Sequence, residues 1–267
     1  MVTLEMGAGP PVLLVHGLNG FKEGWGRLPA ALAASGHRAV AVDLPGFGET
    51  PPVRGERTSP ASMARALAPM VAELAPVAVV AHSLGTQVAM LLAAHQPDRV
   101  PAAVLIAPWV APRVGHVPPR GVADLLQLPV VGRPLARAAI RRIRRDPDRR
   151  RAAFARQTGE PAGAADLPEL EALLDAAADR LLAADVPTMV DWAESGVAED
   201  LLPLAAAIPA RTLVVAGGRD TLTPPAPASR LAGALPDGTF LEVAGAGHFP
   251  HLERPEVVMP AIVEHLA

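Results

Sequence analysis

The chain has 267 residues, of which 50% are hydrophobic and 19% charged, and its formal net charge is -3 at pH 7. This composition is typical of a compact folded protein and argues against a disordered chain. The sequence contains no cysteine, which excludes disulfide bonds, thiolate catalysis and cysteine-bound metal.

The N-terminal residues lead directly into the apolar run Pro10 to Val15, without the basic start and cleavage site of a signal peptide. Every apolar run is interrupted well before the roughly 18 residues that a membrane span needs. We therefore expect a cytoplasmic protein that does not span a membrane.

Short apolar runs alternate with longer helical patterns, which is typical of parallel strands joined by crossover helices. The predicted strands are Val12 to Val15, Arg38 to Val42, Val77 to Ala81, Ala103 to Ile106, Thr212 to Ala216 and Thr239 to Val243. The clearest predicted helices are Pro60 to Leu74, Leu84 to His95, Pro225 to Ala234 and Pro255 to Leu266. The pattern predicts an α/β fold with a mostly parallel sheet flanked by helices.

The strand pattern stops between residues 108 and 208, where Arg- and Ala-rich stretches are interrupted by prolines. We interpret residues 108–208 as a helical cap inserted into a core made of residues 1–107 and 209–267. The cap contains a run of eight arginines from Arg137 to Arg151. Such a run can bind anionic substrates, lipid or nucleic acid. Because Asp146 and Asp148 interrupt it, we favour a solvated helix face and expect no nucleic-acid partner.

A serine lies at a predicted junction of strand and helix. Ser83 stands in Ala81-His82-Ser83-Leu84-Gly85, directly after a strand and before an apolar helix. A nucleophilic serine occupies this kind of sharp turn, where small flanking residues let strand and helix pack closely. Ala81 stands where a first glycine is usual, and Gly85 keeps the second. The alternative for Ser83 is an ordinary helix N-cap.

A glycine-containing loop, His16-Gly17-Leu18-Asn19-Gly20, follows the first predicted strand. Such a loop can aim a backbone N–H at a substrate oxygen, so we predict an oxyanion hole formed by the N–H groups of Leu18 and Leu84. The alternative is a plain strand-ending turn. His16 is expected to brace the loop through hydrogen bonds.

Two further polar residues follow the last two predicted strands. Asp220 ends Gly217-Gly218-Arg219-Asp220, and His248 lies in Gly245-Ala246-Gly247-His248. A histidine on a glycine loop can reach Ser83 while presenting its other ring nitrogen to Asp220. We therefore predict Ser83 as nucleophile, His248 as general base and Asp220 as the acid that orients the base. The alternative for Asp220 is an Asx turn.

Together, five segments of the sequence resemble the α/β-hydrolase superfamily. They are His16-Gly17, Asp43-Leu44-Pro45-Gly46-Phe47-Gly48, Ala81 to Gly85, Gly218-Arg219-Asp220, and Gly247-His248 through Glu253-Arg254-Pro255. The resemblance covers almost the whole chain except the cap. It implies a serine mechanism that uses neither metal nor organic cofactor, and the serine disfavours the relatives that use aspartate as nucleophile.

The favoured function is a carboxylesterase that cleaves small to medium apolar esters through an acyl-enzyme on Ser83. The alternatives are a C–C bond hydrolase, a lactonase or a cofactor-free haloperoxidase on the same triad, or a non-catalytic small-molecule receptor. Trp109 either contacts substrate at the floor of the cap pocket or packs in the core. His82 is expected to be structural, with its side chain directed away from the pocket and into the helix packing. His251 and Asp43 are also expected to be structural, and the protein to be a monomer or homodimer.

Overall fold

The protein folds around one β-sheet. Its structure is a computed structural model that describes residues 1–110, 131–155, 157–159, 180 and 183–267. Its strands are β1 (Thr3–Met6), β2 (Pro11–Val15), β3 (Arg38–Val42), β4 (Ala78–His82), β5 (Ala102–Ile106), β6 (Arg211–Gly217) and β7 (Gly238–Val243). They form one seven-stranded sheet in the order β1-β3-β2-β4-β5-β6-β7. Only β1 runs antiparallel, at the edge beside β3, so the prediction of a mostly parallel sheet is confirmed.

The register of the sheet brings the ends of its central strands to one level. Val15, the last residue of β2, pairs with Val42 at the end of β3 and with Ala81 near the end of β4. On the other side of β4, His82 pairs with Ile106 at the end of β5. The loops that follow these strands therefore leave the sheet side by side, at the edge where parallel α/β folds build their sites.

Helices cover both faces of the sheet. Within the described residues they are α1 (Leu28–Ala34), α2 (Pro60–Leu74), α3 (Gly85–His95), α4 (Gly132–Arg145), α5 (Pro147–Ala155), α6 (Val186–Ala198), α7 (Pro225–Ala234), α8 (Pro250–Glu253) and α9 (Pro255–Leu266). Five of these helices open with proline, whose fixed φ suits the first helical turn. In that part of the chain, no helix is both long and apolar enough to cross a membrane.

The core is divided in two by the sheet. Successive side chains of a strand point to opposite faces, so Leu13 and Val15 of β2 join one cluster while Val12 and Leu14 join the other. All four are completely buried. A sheet covered on both faces explains why its inner strands are almost uniformly apolar.

The helices α4, α5 and α6 come between β5 and β6 in the chain, as an inserted helical cap requires. The proposed boundaries of core and cap stay a prediction, and several predicted cap prolines, Pro129, Pro161 and Pro168, lie outside the described residues. Two residues of the arginine run differ from the expected solvated helix face or interact within the protein. Arg149 pairs with Asp146 at 2.8 Å, and only 9% of Arg144 is exposed.

Candidate active site

Ser83 occupies the sharp turn between β4 and α3. Its φ of 53° lies in the left-handed region, which is costly for a residue with a side chain. The turn is held by a hydrogen bond from the N–H of Ser83 to the carbonyl of Ile106 at 2.9 Å. A Cβ on Gly85 would lie 2.4 Å from the carbonyl oxygen of His16 and 2.6 Å from that of Val15. Glycine at this position therefore lets α3 start against the end of β2.

His248 lies between the two other predicted residues. Its Nε2 is 2.9 Å from the Oγ of Ser83, and its Nδ1 is 2.8 Å from the Oδ2 of Asp220. The structure thus brings together Ser83, Asp220 and His248, which are far apart in sequence. All three are buried, with 7% or less of each residue exposed.

Asp220 is fixed on both carboxylate oxygens. Oδ1 accepts the backbone N–H groups of Leu222 at 2.8 Å and Thr223 at 2.9 Å, and Oδ2 accepts the Thr223 hydroxyl at 2.5 Å. The Asx turn is therefore present together with the contact to His248. Burial raises the pKa of a carboxyl group, but the charge of His248 and the hydrogen bonds from His248 and Thr223 outweigh it and keep the pKa of Asp220 below its usual value.

Thr223 was not singled out from the sequence. Its hydroxyl lies 2.5 Å from Asp220 Oδ2, 3.2 Å from His248 Nδ1 and 3.2 Å from the carbonyl oxygen of Ala107. The spacing Asp-x-x-Thr is a signal for a side-chain-capped turn. The contact with His248 could not have been read from that spacing, because it joins two different loops.

The loop that contains Leu18 is held by His16. Nε2 of His16 accepts the backbone N–H of Leu44 at 3.1 Å, which puts the ring proton on Nδ1, where it is donated to the carbonyl of Gly17 at 2.8 Å. Burial lowers the pKa of His16 to about 4, so the ring is neutral at neutral pH. His16 braces this loop in the structure.

The braced loop lies against the turn of Ser83. A Cβ on Gly17 would be 2.8 Å from the Cβ of Ser83 and 3.4 Å from the backbone nitrogen of Leu84. Among the described residues, no acceptor bonds the N–H of Leu18 or of Leu84. An oxyanion hole requires N–H groups without a protein acceptor, and the assignment of these two groups to one stays a prediction.

Asp43 is completely buried at the end of β3. Its carboxylate accepts the backbone N–H of Lys22 at 2.7 Å, the Nζ of Lys22 at 3.2 Å and the backbone N–H of Glu49 at 2.9 Å. Lys22 also pairs with Glu23 and Glu49, and Arg180 joins the same two carboxylates. This network ties the segment after the Leu18 loop to the turn after β3 and to a residue of the predicted cap.

His82 differs in its packing from the sequence-based expectation, which directed its ring into the helices. Nε2 of His82 instead lies 2.8 Å from the backbone carbonyl oxygen of His248. The His82 ring packs against His248 and His251, with centroids 4.9 and 5.0 Å away. Burial, reinforced by the neighbouring histidines, lowers the pKa of His82 well below its usual value. Burial likewise lowers the pKa of His251 to about 3.

Trp109 lies three residues after β5 and is 6% exposed. Its side chain belongs to the cluster on the same face of the sheet as Leu13 and Val15. It therefore packs in the core, and its contact with substrate stays a prediction.

A cavity of about 90 Å³ opens between the Leu18 loop and the segment after His248. Its wall is formed by His16, Gly17, Leu18, Asn19, Gly20, Phe21, Gly24, Trp25, His82, Gln157, Phe249, His251 and Leu252. None of these residues carries a carboxylate, an ammonium or a guanidinium group, and burial holds the three histidines neutral by lowering the pKa of each. The cavity therefore suits a small uncharged group.

Comparison with known proteins places these observations in a family. Residues 12–261 match the alpha/beta hydrolase family. The chain is 28% identical to BpoC of Mycobacterium tuberculosis, a protein provisionally named as a non-heme bromoperoxidase, over 98% of this chain and 96% of that protein. It is also 28% identical to the pimeloyl-[acyl-carrier protein] methyl ester esterase of Chromobacterium violaceum, with the same coverage.

Solved structures agree with this relationship. A thermophilic esterase from Thermogutta terrifontis superimposes with a TM-score of 0.78 at 26% identity, covering 99% of this chain and 92% of that one. An enol-lactonase from Burkholderia xenovorans LB400 has the same fold, with a TM-score of 0.76 at 22% identity and coverage of 99% and 95%. Because the family match spans nearly the whole chain and includes every loop that leads into this site, the protein belongs to the alpha/beta hydrolase family.

Proposed function

We propose that the protein is a serine carboxylesterase that forms an acyl-enzyme on Ser83. The observation that carries the proposal is the continuous series of hydrogen-bond contacts from Asp220 through His248 to Ser83, at 2.8 and 2.9 Å. It ends on a serine held in a strained turn, beside two backbone N–H groups without acceptors among the described residues. The resemblance to a methyl ester esterase and to a thermophilic esterase supports ester substrates.

The proposed reaction has two halves. In the first, Nε2 of His248 takes the Ser83 hydroxyl proton as Oγ attacks the ester carbonyl carbon, and the N–H groups of Leu18 and Leu84 stabilise the oxyanion. The intermediate then collapses, the C–O bond to the alcohol breaks, and His248 returns the proton to the departing oxygen. In the second half, water attacks the acyl-enzyme with His248 again as base, which releases the carboxylic acid and restores Ser83.

Asp220 has a defined part in this proposal. Its lowered pKa keeps it ionised at neutral pH, so it accepts the Nδ1 proton of His248 and leaves Nε2 free to accept the proton of Ser83. The negative charge of Asp220 also stabilises the imidazolium that forms during each half-reaction.

The preference for a small to medium apolar ester is drawn from the cavity beside the Leu18 loop. This cavity borders the turn of Ser83 through Gly17 and His82, but its wall does not include Ser83 itself. Apolar side chains form much of its wall, and its polar members are uncharged at neutral pH. A carboxylate or ammonium group of a substrate would lose its hydration there without gaining a partner of opposite charge.

The test is hydrolysis of p-nitrophenyl esters from acetate to palmitate by the wild type and Ser83→Ala, with Ser35→Ala as a matched control. We expect turnover that Ser35→Ala retains and that Ser83→Ala loses by at least about 10⁴-fold in kcat. The preferred chain length measures the acyl pocket. Turnover retained by Ser83→Ala would contradict the nucleophile assignment.

A second candidate is a haloperoxidase without cofactor, which the similarity to BpoC favours. Bromination of monochlorodimedone in the presence of hydrogen peroxide and bromide tests it. If ester turnover is absent and bromination depends on Ser83, the second candidate replaces the first.

A further inference from the structure

Glu253 is a buried carboxylate outside the proposed triad, with 6% of the residue exposed at the end of α8. Its Oε2 accepts the backbone N–H of Gly247 at 2.9 Å and that of Gly159 at 2.8 Å. Its Oε1 accepts the backbone N–H of Phe249 at 3.0 Å. One side chain thus bonds the residues on both sides of His248 and a residue of the predicted cap.

The loop that contains His248 is held in place by hydrogen bonds to Glu253 and to two further residues. The N–H of His248 donates to the carbonyl of Gln157 at 2.7 Å, and its carbonyl oxygen lies 2.8 Å from Nε2 of His82. The three consecutive N–H groups from Gly247 to Phe249 therefore all donate to groups outside the loop. Because no ladder of strand hydrogen bonds fixes these residues, the position of the His248 ring depends on these external partners.

The cap segment 157–159 lies directly against this loop, backbone to backbone. A Cβ on Gly159 would be 2.0 Å from the carbonyl oxygen of Gly245, and one on Gly247 would be 2.4 Å from the carbonyl oxygen of Gln157. Such closeness leaves no room for a side chain at Gly159 or at Gly247. Glu253 joins the two segments through one oxygen, because its Oε2 accepts the backbone N–H of Gly159 and that of Gly247.

A carboxylate suits this place because it can accept at both oxygens without presenting a donor. A glutamine would have one oxygen and one NH₂ group. Whichever way that amide turned, its NH₂ would face a backbone N–H, either that of Phe249 or those of Gly159 and Gly247. Hydrogen bonds to a charged acceptor are also about twice as strong as those to a neutral one.

We infer that Glu253 is a positioning residue for His248, and that through Gly159 it couples the seating of the cap segment to the position of that histidine. The inference rests on the proposed function, because the role of His248 belongs to it.

The inference has a chemical signature that a purely structural role lacks. With every ester, His248 acts as base toward Ser83. An alkoxide leaving group must also receive a proton from His248 as it departs, whereas a p-nitrophenolate leaving group departs readily without a proton. A displaced His248 therefore slows alkyl esters more than p-nitrophenyl esters. A variant that only reduces the folded fraction slows both by the same factor.

The experiment compares Glu253→Gln and Gly159→Ala with Glu256→Gln, an exposed glutamate three residues further on, using p-nitrophenyl butyrate and ethyl butyrate. For Glu253→Gln we expect kcat on the p-nitrophenyl ester to fall about 10-fold to 100-fold, as small displacements in an active site do. We expect about a further 10-fold loss on the ethyl ester, with little change in KM. Gly159→Ala should move the ratio of the two rates in the same direction, and Glu256→Gln should leave it unchanged.

Equal losses on the two esters in Glu253→Gln would overturn the positioning role. An unchanged ratio in Gly159→Ala, which keeps Glu253, would overturn the coupling to the cap segment. Gly159→Ala also decides the matter if Glu253→Gln does not fold. If the wild type hydrolyses neither ester, the proposed function fails, and the rate at which a fluorophosphonate labels Ser83 then decides the inference. Labelling slowed at least about 10-fold in Glu253→Gln supports it, and labelling at the wild-type rate overturns it.

Discussion

Asp220→Asn is the substitution whose outcome the contacts around the site define most sharply. Oδ1 of Asp220 accepts only N–H donors, from Leu222 and Thr223, so the oxygen of the asparagine amide should keep this position. The NH₂ group then takes the place of Oδ2 and faces Nδ1 of His248. The Thr223 hydroxyl can turn to the carbonyl of Ala107, 3.2 Å away, so the variant should fold.

The expected effect follows from the tautomer of His248. An NH₂ group can only donate to Nδ1, which moves the ring proton to Nε2, where it can no longer accept the proton of Ser83. The corresponding substitution in serine proteases lowers kcat by about 10⁴-fold, which corresponds to roughly 5 kcal/mol of activation free energy. We expect a loss of this size in Asp220→Asn.

The assay is kcat on p-nitrophenyl butyrate, with circular dichroism and thermal unfolding to compare the folded states. Thr223→Val serves as the matched control, because it removes one hydrogen bond to the same carboxylate and leaves the charge. It should lose no more than about 100-fold, because a hydrogen bond to a charged acceptor contributes roughly 1.5–3 kcal/mol, which is well short of the loss expected in Asp220→Asn. If folded Asp220→Asn keeps activity within a factor of about 10 of wild type, the argument that Asp220 selects the tautomer is refuted.

Three further predictions concern stability, each measured by urea denaturation. Gly85→Ala should destabilise the protein by about 1–3 kcal/mol, because its Cβ would meet the backbone of His16; an unchanged midpoint would contradict that packing. Lys22→Met should lower the free energy of unfolding by about 3–5 kcal/mol, because it leaves the buried Asp43 without its cation. An unchanged free energy of unfolding would show that the other groups around Asp43 replace the contribution of Lys22. Burial lowers the pKa of His16 to about 4 and that of His251 to about 3. The unfolded chain therefore binds more protons than the folded protein below pH roughly 6.5. The free energy of unfolding should be greatest above that pH and fall by on the order of 5 kcal/mol toward pH 4, and a flat profile would contradict the burial of neutral rings.

The elements that could be predicted are those whose signals are local. The bounds of α2, α7 and α9 match the sequence prediction because proline marks the first residue of each. The inner strands match closely because both of their faces are buried and apolar. β1 was missed because Thr3–Met6 is a half-exposed edge strand that pairs only with β3, so its residues form no apolar run.

The residues of the candidate site also divide into those that a local sequence signal predicts and those that it does not. Ser83, Asp220 and His248 each follow a strand within a recognisable local motif, which is why they could be named together from the sequence. Thr223 was not singled out, and Glu253 was quoted only as part of a motif without a role of its own, because each acts across a boundary between loops. The acceptors and donors of those two side chains are defined only by the packing of the folded chain.

Lys22 is the only lysine in the sequence, and only 7% of its side chain is exposed. A lysine-specific endoprotease therefore has one site in this protein, and the folded state conceals it. Cleavage there can occur only after the segment next to the Leu18 loop has opened. The rate of that single cut would report how often this side of the active site unfolds, without any engineered label.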